Sequence, residues 1–92
     1  MTEAQARALA IVARLQASHP NTVGKPLAVD EALEDAGVDR DTLDELRTEG
    51  FVDYAQVSLH QWAMVTGYRL TVRGWDAIYQ ALLTEVRAEG SA

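Results

Sequence analysis

The sequence predicts a mainly α fold of the α+β class, in the order αααββα, with a two-stranded β-hairpin before the last helix. Three observations carry this. Apolar residues recur at helical spacing in three stretches, closed by proline or glycine. Residues 51–72 switch to a spacing of two. The last stretch returns to helical spacing and carries the widest apolar stripe in the chain. The 92 residues suffice for one domain and not for two, so 1–92 is read as a single domain.

The first helix is expected from about Thr2 to Ser18. Thr2 and Gln5 stand in capping-box spacing, and Ala8, Ile11, Val12 and Leu15 form the buried stripe. Alanines smooth its other faces. They would let a partner helix approach closely, although alanine is also simply a good helix former, the simpler reading. His19-Pro20-Asn21 stops the helix, because the residue before proline avoids the helical region. Residues 22–26 are a loop, and His19 is a helix-end residue near the negative dipole end.

The second helix covers about Val29 to Ala36, with Val29, Ala32, Leu33 and Ala36 inward and Gly37 as left-handed C-cap. Its acids, Asp30, Glu31, Glu34 and Asp35, read as a solvated face, not a metal site. Val38 fills the turn. Asp39 caps the third helix, Leu43 and Leu46 point inward, and Gly50 ends it.

Strands follow. Phe51 and Val52 begin the first, and Tyr68, Leu70 and Val72 alternate with Arg69, Thr71 and Arg73 in the second. The turn falls around Leu59 to Gln61, or more widely out to Gly67, which is a candidate bulge. Thr71 caps the last helix, expected to about Ala88, with 89–92 as a frayed tail. Trp75, Ile78, Tyr79, Leu82, Leu83 and Val86 form a stripe wider than the ~100° that seals a small core. The excess points to a partner helix.

The run of helix, Gly50-Phe51-Val52, hairpin and Tyr68-Arg69-Leu70-Thr71 with Gly74 resembles the second half of a winged-helix domain of the MarR- or PadR-like kind. The resemblance spans most of the chain. It implies a helix-turn-helix whose third helix enters the major groove of DNA and a hairpin wing that reaches backbone or minor groove. Carried over by position, the nucleic-acid candidates are Lys25, Arg40, Arg47, Arg69 and Arg73, with Asp41, Asp44, Glu45 and Thr48 on the same helix.

The charges depart from that pattern. The net charge is −6, and nucleic acid or anionic membrane repels such a surface unless its basic residues are concentrated. The third helix and its flanks hold Asp39, Asp41, Asp44, Glu45 and Glu49 against Arg40 and Arg47. A carboxylate can accept from cytosine but repels the phosphates beside it. That helix is also about one turn short. The wing tip carries His60, Gln61, Trp62, Ala63, Met64 and Val65 where arginine or lysine is usual. Trp and Met favour protein interfaces; the competing reading folds Trp62 and Met64 back onto the core.

Catalytic chemistry is missing. No cysteine is present, which excludes a disulfide framework, a thiolate metal site and a cysteine nucleophile together. The two histidines lie far apart. No Gly-x-Ser-x-Gly, phosphate-binding loop or His-Glu-x-x-His occurs. Asp39-Arg40-Asp41 fails as a calcium loop at Leu43. No stretch reaches the ~18 apolar residues of a membrane span, and Thr2-Glu3 does not open a secretion signal. A disulfide-free small protein fits the cytoplasm.

The expected function is non-enzymatic and regulatory, through protein contacts or homodimerisation by wing and last helix. The candidates are Trp62, Met64, Tyr79 and Leu83. A DNA-binding regulator touching phosphates through the five basic residues is the alternative, and an acidic DNA mimic a distant third. No cofactor, metal, membrane or small-molecule ligand is expected.

Overall fold

A computed structural model describes residues 1–18, 27–60 and 63–90. Its elements are α1 (Glu3–Ser18), β1 (Ala28–Val29), α2 (Asp30–Asp35), α3 (Arg40–Thr48), β2 (Val52–His60), β3 (Ala63–Leu70) and α4 (Val72–Gly90). The result is an α+β fold with four helices and a three-stranded antiparallel sheet among the described residues, ordered β1-β3-β2.

Local signals set the helix ends. At α1 the Thr2 amide donates to Gln5 Oε1 at 3.0 Å, and the Gln5 amide donates to Thr2 Oγ1 at 3.1 Å. This is the reciprocal capping box that the spacing predicts. Both α2 and α3 end in the same C-terminal motif. Gly37 and Gly50 take φ of 78° and 83°, a left-handed conformation that a side chain disfavours. The Val38 amide donates to the Leu33 carbonyl at 3.0 Å, and the Phe51 amide to the Leu46 carbonyl at 2.9 Å. Those bonds satisfy carbonyls that a helix end leaves open. Val38 and Phe51 pack against the core, which anchors each turn. Asp39 caps α3 by accepting from the Asp41 amide at 3.4 Å.

Four expectations are corrected. The order is not αααββα, because a short strand at Ala28–Val29 lies between α1 and α2. The sheet has three strands, not two, and Val29 belongs to β1 and not to α2. Gly67 is not a bulge: it pairs with Ala55 on one side and Val29 on the other. A Cβ at Gly67 would run into the Ala28 carbonyl, so its missing side chain is what admits β1. The register shift falls between Ser58 and His60 instead. Finally, α4 reaches Gly90, so Glu89 and Gly90 are helical and not part of a frayed tail. Residues 59–60 belong to β2 and 63–67 to β3, so neither is the expected turn, and residues 61–62 lie outside the described residues.

The core sits between α1, α3 and the sheet. Leu9, Val12, Leu33, Leu43, Leu46, Val52, Tyr68 and Leu70 are buried. Leu9 joins the expected Ala8 and Val12, Ile11 and Leu15 are half-buried and pack against this core, and Ala36 is exposed. Two buried glutamines tie the layers together. Gln5 Nε2 donates to Glu45 Oε2 at 2.8 Å, joining α1 to α3, and Gln16 Oε1 accepts from the Leu70 amide at 2.8 Å.

Candidate functional site

The outer face of α4 is the strongest candidate surface. The helix starts from a firm base. Thr71 Oγ1 accepts from the Gly74 amide at 3.1 Å and lies 2.6 Å from the Gly50 carbonyl, to which it donates. One face of α4 then packs inward, with Ala77 and Ile78 against the core. The neighbouring face does not. Val72 is 87% exposed, Trp75 46%, Tyr79 60% and Leu82 54%. These four line one shallow groove with Ile78 and Asp76.

Their positions recur at spacings of three, four and three residues. That is the seam spacing by which one helix packs along another. Val86 continues it in the sequence. Large side chains left in water along such a seam forgo about 25 cal/mol per Å² of apolar surface that a partner would cover.

The predicted protein-contact residues are only partly brought together. Tyr79 lies on this face and Leu83 is half-buried beside it. Met64 is exposed but sits on β3 opposite Ser58. Trp62 lies outside the described residues. Val72 and Trp75 were not singled out as site residues by sequence reasoning. The unequal three-and-four spacing, continued through Leu82, was the signal that could have found them.

The basic candidates form a weaker set. Arg40, Arg47, Arg69 and Arg73 are exposed, and Lys25 lies outside the described residues. Two of the four are engaged by rings. The Arg47 guanidinium lies 5.8 Å from the Tyr54 ring centre, and that of Arg73 lies 4.8 Å from the Phe51 ring centre. Arg69 lies opposite Asp53 in the β2–β3 register. On α3 the exposed side also shows Asp41, Asp44 and Glu45.

A second polar region lies under α2 and α3. Asp30 Oδ2 accepts from Tyr54 at 3.1 Å and from Thr66 at 2.6 Å. The Tyr54 and Tyr68 rings meet edge to face at 5.1 Å. Burial pushes the Tyr68 phenol above its ordinary value near 10, and Asp44 and Asp30 add to the shift, while Arg40 opposes it. No three His, Asp or Glu side chains among the described residues gather to hold a metal ion. No helix is long and apolar enough to cross a membrane among those residues.

The chain has no significant match among protein-family models, curated proteins or solved structures.

Proposed function

We propose that this chain is a non-enzymatic, cytoplasmic winged-helix module that acts by pairing with a second copy of itself through α4. The reading of a wing rests on the paired strands β2 and β3, which follow a helix–turn–helix of α2, Gly37-Val38 and α3. One observation carries the pairing: the exposed seam of Val72, Trp75, Tyr79 and Leu82.

The seam selects its own occupant. The spacing of its four exposed residues, three, four and three, reads the same in both directions. Two α4 helices set antiparallel about a two-fold axis therefore place Val72 opposite Leu82 and Trp75 opposite Tyr79 at both ends. Each of these four residues then meets another of the four, and the aromatic pair comes at the centre, where interface side chains contribute most. A two-fold interface must be self-complementary in this way. An unrelated partner helix needs no such symmetry.

A DNA-binding regulator is the second reading, supported by the exposure of Arg40, Arg47, Arg69 and Arg73. The acids interleaved on α3 and the ring contacts of Arg47 and Arg73 weigh against it. Affinity for duplex comes largely from cations free to neutralise phosphates.

Light scattering on a size-exclusion column, with and without nonspecific duplex, tests both. Pairing predicts a mass that rises towards twice 10.1 kDa with concentration and is indifferent to duplex. A monomer at every concentration sinks the pairing. Co-elution with duplex that disappears as salt is raised favours the regulator.

A further inference from the structure

A cleft of about 340 Å³ opens between α2, α3 and β3. It is remote from the α4 seam in sequence and independent of the pairing reading. Its floor is apolar, with Leu33 and Leu43, and Tyr68 forms part of its wall. Asp30, Glu34 and Asp39 stand around it against a single cation, Arg40. The volume lies in the range that takes a small organic group.

Acids alone would be a solvated surface. The decisive group is Tyr68. It is only 3% exposed and lines the cleft, yet its hydroxyl makes no hydrogen bond among the described residues. The phenol oxygen keeps its lone pairs for an acceptor role, so a ligand that brings an N–H donor can engage it at that point. Asp30 is also prepared. The hydroxyls of Tyr54 and Thr66 both donate to its Oδ2 and fix the carboxylate at the end of α2 nearest the sheet. The carboxylates do not gather closely enough for a metal ion; a larger cation with its own N–H donors suits their spread.

We infer that this cleft binds a primary ammonium group carried on a short alkyl chain. The Asp30 and Glu34 carboxylates take the positive charge, the Tyr68 hydroxyl oxygen accepts an N–H, and the alkyl chain lies on Leu33 and Leu43. A free amine and a lysine side chain of another polypeptide share this chemistry.

Titration of the whole chain with butylammonium, followed by nuclear magnetic resonance, tests the site. Saturable shifts confined to the cleft residues of α2, α3 and β3 are expected. Butyrate, with an alkyl chain but the opposite charge, should give none. Tyr68→Phe keeps the ring and removes the acceptor; Glu34→Gln removes a charge from an exposed position. Each should weaken binding roughly three- to tenfold, the range for one hydrogen bond or ion pair. If Tyr68→Phe does not fold, Glu34→Gln decides alone. Tighter binding of Nα-acetyl-lysine methylamide assigns the site to a polypeptide, and tighter binding of butylammonium assigns it to a free amine. Equal shifts with butyrate, no saturable shift with either amine, or unchanged affinity in the variants would overturn the site.

Discussion

The side-chain carbonyl of Gln16, on α1, accepts a 2.8 Å hydrogen bond from the Leu70 amide at the end of β3. Both residues are buried. The bond fastens the first helix to the strand that hands over to α4. Gln16→Leu keeps the volume but leaves the amide without a partner. The expected loss is about 1–3 kcal/mol, the cost of an unsatisfied buried donor. A urea midpoint unchanged from the parent would show that water replaces the glutamine.

Gly67→Ala is expected to act on the sheet. The new methyl group meets the Ala28 carbonyl, so β1 must move off β3. Overpacking of this kind costs about 1–3 kcal/mol. Amide hydrogen exchange would show the loss as faster exchange at Ala28 and Val29, with β2–β3 pairing retained. Uniformly slow exchange at β1 would mean that the strand tolerates the side chain.

These two sites mark what was and was not legible in the sequence. Thr2 with Gln5, Gly37, Gly50 and Thr71 announce helix ends because each acts on backbone groups a few residues away. The strand Ala28–Val29 announces nothing. Two residues are too few to show a period, and the strand exists because Gly67, far along the chain, leaves room for it. The α4 face was legible as an excess of apolar residues, since helical spacing alone reveals it. Which of them stay exposed depends on where Ala77 and Ile78 find the core. The cleft beside Tyr68 was not legible, because α2, α3 and β3 each supply a wall.

Thr71→Val should destabilise the start of α4. The hydroxyl both accepts from Gly74 and donates to the Gly50 carbonyl, and valine does neither. Loss of an N-cap costs about 0.5–2 kcal/mol. The change should appear in thermal unfolding, and Thr71→Ser should recover most of it. Failure of serine to do so would place the effect in the lost methyl group.

Tyr68 predicts a pH dependence at the alkaline end. Its phenol is raised above the ordinary value near 10 by burial first, then by Asp44 and Asp30. The folded state therefore holds the phenolic proton more tightly than the unfolded state. The resulting stability is complete below about 10 and is lost as pH rises through the higher folded value. Tyr68→Phe should flatten that part of the stability profile. Ultraviolet absorbance of tyrosinate, compared between the parent and Tyr68→Phe, should show that the titration lost with Tyr68 lies above the ordinary value near 10. A lost component centred at or below about 10 would contradict the shift.

Trp75→Glu tests the α4 seam. Trp75 is half exposed and would meet Tyr79 in the proposed antiparallel pairing, so a carboxylate there would be buried beside an aromatic ring on both sides of the two-fold. Removing a charge from water without a partner costs several kcal/mol, enough to abolish a modest interface. In the separate chain the same position faces solvent, and surface substitutions usually change stability by no more than about 0.5 kcal/mol. The variant should therefore run as a monomer of about 10 kDa at concentrations where the parent pairs, with an almost unchanged urea midpoint under dilute conditions. Ala77→Glu supplies the contrast, because Ala77 packs against the core and a charge there should unfold the chain. A Trp75→Glu variant that still pairs would move the interface off α4, and one that unfolds would make Trp75 part of the core.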